Sequence, residues 1–99
     1  MSISKVKILV LKKMNSGEIR EEYGRNVQEC TDLKIGDEFI VENLCMPNGF
    51  CSWAWADIQR DVVHLALGGD FPWIKKKGTT ISCCTDGLRP VVFKIERTE

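Results

Sequence analysis

The chain has 99 residues, a length that suits one domain with its own hydrophobic core, and 43% of its residues are hydrophobic. Its 14 Lys and Arg balance 14 Asp and Glu, so it lacks the excess basic charge of typical nucleic-acid-binding proteins, and we expect no nucleic-acid partner. No stretch approaches the roughly 20 apolar residues of a membrane helix, and the N-terminal segment has no signal-peptide pattern. We therefore expect a single domain over residues 1–99, located in the cytoplasm and without a membrane partner.

Hydrophobic periodicity predicts four strands and one long helix. Val6, Ile8 and Val10 alternate with other residues, as is typical of a strand with one buried face. An apolar stripe at helical spacing predicts the long helix and consists of Trp55, Ile58, Val62, Leu65 and Ala66. Ser52 is the predicted N-cap of this helix, and Gly68-Gly69 is predicted to end it.

The predicted elements follow a simple order along the chain. They are a strand at 5–12, a short helix at 18–23, a strand at 38–42, the long helix at 52–67, and strands at 79–84 and 90–97. This order predicts an α+β fold, with a small antiparallel or mixed four-stranded sheet and one main helix packed across it.

Five cysteines are the main chemical feature of the sequence: Cys30, Cys45, Cys51, Cys83 and Cys84. An odd number of cysteines in a reducing cytoplasm does not indicate a disulfide framework. They are expected to be buried small residues, metal ligands or reactive thiols. No pair has the CxxC spacing of zinc ribbons or ferredoxin-like clusters, so a metal site would be assembled from separate elements of the fold.

Cys51 stands just before the long helix, in the segment GFCSWAWADI. The positive end of a helix dipole and the free N–H groups of the first turn favour a thiolate, so Cys51 is the first candidate for a metal ligand or a nucleophile. Packing behind Trp55 is the alternative. Cys83 and Cys84 are adjacent in a strand, where successive side chains point to opposite faces, so only one of them is expected to face a given site.

Trp53, Phe71 and Trp73 are the candidates for a ligand pocket or a subunit interface. Trp53 and Trp55 lie about 200° apart around the helix axis, so they cannot share one narrow face. We assign Trp55 to the core and expect Trp53 to point elsewhere, where Trp73 could join it. Ordinary packing is favoured over ligand stacking for the tryptophans, because aromatic side chains dominate core and interface burial.

Five segments, in this order, resemble a family of small single-domain proteins found mostly in anaerobic bacteria and archaea: KVKILVLK, CTDLKIGDEFIV, GFCSWAWADI, GGDFPW and CCTDGLRPVVFKIER. The resemblance covers nearly the whole chain. It implies that Cys30, Cys51 and Cys84 are the cysteines that matter, whereas Cys45 and Cys83 match more variable positions. Some members of that family have a histidine before the GD turn, where this chain has Ile35, which weakens the case for a three-cysteine, one-histidine zinc site.

The leading hypothesis is a small protein that binds a thiophilic metal ion or an iron–sulfur cluster through Cys30, Cys51 and Cys84, with Cys83 as a substitute ligand. Thiolates bind zinc, copper(I) and iron–sulfur clusters alike, and the anaerobic setting implied by the resemblance favours iron–sulfur or soft-metal chemistry. A redox partner protein, or a cluster shared between subunits of a homo-oligomer, would accompany this role.

Two other hypotheses remain open. The chain could be a metal-free binding or oligomeric interaction module, in which Trp53, Phe71 and Trp73 wall a pocket or an interface. It could also be an enzyme with Cys51 as nucleophile. The enzyme ranks last, because no motif ties a base such as His64 to any nucleophile.

Overall fold

The computed structural model describes residues 3–25 and 33–98. In these residues the elements are β1 (Val6–Lys13), α1 (Glu18–Tyr23), β2 (Glu38–Val41), α2 (Ser52–Ala66), β3 (Thr79–Cys83) and β4 (Val91–Arg97). Each predicted strand and helix is present, and its ends differ from the prediction by no more than one residue.

The four strands form one antiparallel sheet in the order β2-β1-β4-β3. The α+β prediction is confirmed, and the sheet is antiparallel rather than mixed. The two central strands come from opposite ends of the described chain, with Val6 opposite Arg97 and Ile8 opposite Ile95. The last two strands form a hairpin, in which Cys83 lies opposite Val92.

The two faces of the sheet follow the alternation of the sequence. Val6, Ile8 and Val10 are buried beneath α2. On the other face, Lys7 lies between Glu38 and Glu96, with Nζ–Oε distances of 3.2 and 3.4 Å. Ion pairs across neighbouring strands stabilise this outer face modestly, and the apolar side chains fix the register.

Helix α2 buries a stripe of small and branched side chains against the sheet: Ala54, Ile58, Val62, Leu65 and Ala66. Trp55, predicted within this stripe, lies at its margin and is half-buried. Its ring makes an edge contact with Phe50, at a centroid distance of 6.3 Å. The stripe starts one residue earlier than predicted, because the small Ala54 lets the first turn approach the core closely.

The C-terminus of α2 ends as the two glycines predict. The Gly69 N–H donates to the His64 carbonyl at 2.8 Å, and the Gly68 N–H donates to the Leu65 carbonyl at 3.0 Å. Gly68 has a φ of 95°, so the two bonds form the Schellman arrangement that favours glycine. Arg97 adds a side-chain bond from Nη1 to the Leu65 carbonyl at 2.8 Å, which ties the end of α2 to β4.

Candidate functional site

A pocket of about 300 Å³ lies where the start of α2 meets the turn between β3 and β4. Its lining contains two thiols, an indole, a carboxylate, a guanidinium and several apolar side chains. Its walls are formed by Leu33, Cys51, Trp53, Ala54, Cys84, Asp86, Arg89 and Val91. The fold thus brings two of the three cysteines singled out from the sequence, Cys51 and Cys84, to one cavity.

Cys51 is itself the N-cap of α2, with φ −72° and ψ 121°, and Ser52 is the first helical residue. The Cys51 carbonyl accepts the first helical hydrogen bond from the Trp55 N–H at 2.9 Å, and the Cys51 thiol makes no capping bond. The prediction of Ser52 as the N-cap is therefore wrong by one position. Cys51 has the extended backbone of an N-cap, and Ser52 is already helical. The half-buried thiol lines the pocket at the positive end of the helix.

Cys84 is buried and is bonded to the start of β4. Its N–H donates to the Val91 carbonyl at 3.1 Å, and the Val91 N–H donates to Sγ of Cys84 at 3.3 Å. Cys83, the neighbouring residue, is exposed and does not line the pocket. The expected division between the two adjacent cysteines is therefore seen, and Cys84 is the one that faces the site.

Asp86 and Arg89 form the polar wall of the pocket. One carboxylate oxygen of Asp86 accepts from the N–H groups of Leu88 and Arg89 at 3.0 and 3.2 Å, and the other accepts from Nε of Arg89 at 3.1 Å. Burial by itself would raise the pKa of Asp86, but these donors together hold it below its ordinary value. Asp86 thus stabilises the turn and also fixes a guanidinium in the pocket that the two thiols line.

The turn between β3 and β4 is attached to α2 through Asp57 and Thr85. The Thr85 N–H donates to one carboxylate oxygen of Asp57 at 2.8 Å, and the Thr85 hydroxyl lies 3.0 Å from both oxygens. Thr85 directly follows Cys84, and Asp57 is one turn after Trp53 on the same side of the helix. This contact was not foreseen from the sequence, although Asp57 and Thr85 each lie in a segment that carries the resemblance, because nothing in either segment pairs the two residues.

Cys30, the third predicted ligand, lies outside the described residues. Leu33, three positions later in the chain, is buried and lines the pocket. Cys45 is exposed, and its thiol donates to the Asn43 carbonyl at 3.4 Å. Within 3–25 and 33–98, no three His, Cys, Asp or Glu side chains form a group that could hold a metal ion.

The predicted aromatic set is divided between the two ends of α2. Trp53 is 67% exposed and lines the pocket. Phe71 packs on His64 and on Trp73, with centroid distances of 4.7 and 5.2 Å. His64 is eleven residues after Trp53, or about 16 Å along the helix. Phe71 and Trp73 therefore belong to a second surface rather than to the pocket.

His64 is held at that second surface and is remote from the thiols. Its Nε2 lies 3.0 Å from the Asp70 carbonyl, and its ring covers the Cα of Gly69. Thirteen residues of helix, about 20 Å, separate it from Cys51. This geometry gives no support to a catalytic pair of Cys51 and His64.

In comparisons with known proteins, no family model, no curated protein and no solved structure matches the chain. No helix within the described ranges is long and apolar enough to cross a membrane.

Proposed function

We propose that this protein binds a thiophilic metal ion or an iron–sulfur cluster in the pocket at the start of α2, with Cys51 and Cys84 as thiolate ligands. The observation that carries the proposal is that two cysteines from distant parts of the sequence line one cavity. Their neighbours Cys83 and Cys45 are exposed and do not line it. If the cysteines were only small packing residues, there would be no reason for Cys51 and Cys84 to line the same cavity.

The surroundings of the two sulfurs suit metal ligands. Sγ of Cys84 already accepts a backbone N–H, and bonds of this kind stabilise ligating thiolates and tune the potentials of clusters. Cys51 lies at the positive end of α2, which offsets part of the negative charge that two thiolates would bring into a half-enclosed site. Arg89 lines the same pocket, and its charge is balanced by Asp86 at 3.1 Å.

Cys30 is the proposed third ligand. At most about 11 Å of extended chain separates it from Leu33, which lines the pocket, so its thiol is within reach of the site. A single ion with metal–sulfur bonds of about 2.3 Å would fill only part of the cavity. The remaining space suits a cluster, or an ion with an open coordination position for a small ligand.

We propose a cytoplasmic location for the protein. Thiolates of this kind stay reduced in the cytoplasm, and an oxygen-sensitive cluster suits the anaerobic organisms implied by the sequence resemblance. A cluster would call for an electron-transfer partner protein, or for a second subunit that shares it.

The test is anaerobic purification, followed by a visible absorption spectrum and by analysis of iron, zinc, copper and acid-labile sulfide. We expect a stoichiometric metal, with brown colour and sulfide if the group is a cluster. The variants C30S, C51S and C84S should each lose the metal or bind it much more weakly. The matched controls C83S and C45S should keep it, because their thiols do not line the pocket.

A stable, colourless and metal-free protein would contradict the proposal and favour the second candidate, a metal-free site for a small ligand. That candidate is supported by the volume of the pocket, which lies at the lower end of the range for ligand sites, and by Trp53 and Arg89 in its walls. In that case W53A should abolish ligand binding, and C51S should leave it unchanged.

A further inference from the structure

The contact between Asp57 and Thr85 crosses from α2 to the turn that carries Cys84. Three short distances join the Asp57 carboxylate to the N–H and hydroxyl of Thr85, between 2.8 and 3.0 Å. We infer that Asp57 is a positioning residue, which acts through Thr85 to hold the Cys84 thiol in the wall of the pocket that Cys51 also lines. This inference rests on the proposed function, because it assigns Asp57 a role in the same thiol site.

The Cys51 thiol and the Cys84 thiol are held by two different elements of secondary structure. Cys51 is fixed by α2, since its carbonyl accepts the first helical hydrogen bond. Cys84 is fixed to β4 by its two bonds with Val91. None of these hydrogen bonds fixes the distance between the start of α2 and the turn between β3 and β4.

Asp57 supplies that connection. It lies on the side of α2 that carries Trp53 and Ala54, and both of those residues line the pocket. Thr85 is covalently next to Cys84, so a shift of the turn away from α2 would move the Cys84 sulfur with it. A carboxylate that accepts both an N–H and a hydroxyl of one residue holds that residue in position and orientation, which a single bond does not.

Other bonds hold the rest of the turn from the opposite side. The Met14 N–H donates to the Pro90 carbonyl at 2.8 Å, and the Ser16 N–H donates to the Leu88 carbonyl at 3.1 Å. These bonds attach the far part of the turn to the end of β1. Removal of the Asp57 contact should therefore loosen the part next to Cys84 without unfolding the turn.

The first test measures metal affinity with cobalt(II), titrated anaerobically into the reduced, metal-free full chain and followed by the thiolate-to-cobalt absorption band. Loss of a residue that orients a metal ligand typically lowers affinity by about 10- to 100-fold, and we expect a loss in this range for D57N and for T85V. T85S keeps both donors and should bind cobalt as the wild type does. D61N is the matched control, since it makes the same change one turn further along α2, where Asp61 pairs only loosely with Arg60 at 4.0 Å.

The second test needs no metal and therefore separates this inference from the proposed function. Reduced, metal-free protein is treated with iodoacetamide, and the alkylation of each cysteine is followed by peptide mass spectrometry. Cys84 is buried, and D57N and T85V should raise its alkylation rate several-fold, whereas D61N and T85S should not. Cys45, which is exposed and does not line the pocket, serves as the internal reference.

The two measurements together distinguish failure of the inference about Asp57 from failure of the metal site. Wild-type rates at Cys84 together with wild-type cobalt affinity in D57N and T85V would overturn the inference. Faster alkylation of Cys84 in a protein that binds no metal would keep Asp57 as the positioning residue of the thiol pair and reject the metal site. If D57N does not fold, T85V decides the question, because it removes the hydroxyl and keeps the size of the side chain.

Discussion

Cys84 and Val91 exchange two hydrogen bonds, and one of them uses a sulfur as acceptor. The Cys84 N–H donates to the Val91 carbonyl at 3.1 Å, and the Val91 N–H donates back to Sγ of Cys84 at 3.3 Å. In a regular antiparallel pair the second bond would go to the Cys84 carbonyl. The thiol thus completes the pairing of the hairpin just beyond Cys83, where β3 ends.

This relationship predicts different effects for two substitutions of Cys84. C84A leaves the N–H of the buried Val91 without its acceptor, which should lower the free energy of unfolding by about 1–3 kcal/mol. C84S retains an oxygen acceptor and should lose less. Urea denaturation of both variants measures the difference. Equal stability of C84A and C84S would show that the N–H to sulfur bond contributes nothing, and C83A, at an exposed position, provides the control.

Asp86 predicts an acid-dependent contribution to stability. Its pKa is held below the ordinary 3.8, since the donors from Leu88 and Arg89 outweigh the opposing effect of burial. A lowered pKa stabilises the fold fully above pH 3.8, and this contribution is lost as the pH falls from 3.8 through the folded-state pKa. D86N should therefore be less stable than the wild type at neutral pH, and the two should converge in acid.

Denaturation of both proteins over a series of pH values measures that convergence. Asparagine still accepts the turn N–H groups, so the comparison isolates the charge. A stability difference that stays constant as the pH falls far below 3.8 would contradict the assignment, because a protonated Asp86 attracts Arg89 no more strongly than Asn does.

Gly69 is required by the ring of His64 rather than by its own backbone. A Cβ at this position would meet three ring atoms of His64 within 2.7 Å. Because His64 is exposed, its ring can turn away, and G69A should cost about 1 kcal/mol through the loss of the contact between His64 and the Asp70 carbonyl. In the background of H64A the same substitution should cost much less, and the double-mutant cycle measures this coupling. Additive effects of the two substitutions would reject the steric explanation.

The alternation of apolar residues was sufficient to predict much of the fold. Val6, Ile8 and Val10 are buried on one face of β1, and Gly68-Gly69 ends α2, because both patterns depend on local backbone geometry. The same period of two predicted that Cys83 and Cys84 would separate. Local geometry therefore also predicted part of the candidate site.

The rest of the site depends on contacts between distant segments. The sequence did not reveal the pairing of Asp57 with Thr85, or that Trp53 and Trp73 occupy opposite ends of α2. Both features depend on how the turn between β3 and β4 meets the helix. The one signal available for Arg89 was its position three residues after Asp86, which allows a carboxylate in a turn to bind the side chain that follows.

Arg97 is predicted to resist replacement by lysine. Its Nη1 donates to the carbonyls of Leu65 and Gly69, both at 2.8 Å, at the end of α2. A lysine ammonium is a single point donor on a different stem and cannot reproduce the planar fork. R97K should lower the free energy of unfolding by about 1–2 kcal/mol, as measured by urea denaturation. K94R, on the same strand and half-exposed, should have little effect.

The separation of the tryptophans gives a direct optical test of where a bound metal lies. Trp53 lines the pocket, whereas Trp73 packs on Phe71 near the far end of α2. Cobalt(II) bound by Cys51 and Cys84 should quench the fluorescence of Trp53 strongly, because quenching by a metal ion falls steeply with distance. W53F should therefore lose a large part of the quenching seen in the wild type, while Trp55, whose N–H bonds the Cys51 carbonyl, accounts for the rest. W73F should retain the quenching. Quenching that disappears in W73F and persists in W53F would place the metal at the second surface and contradict the assignment of the pocket.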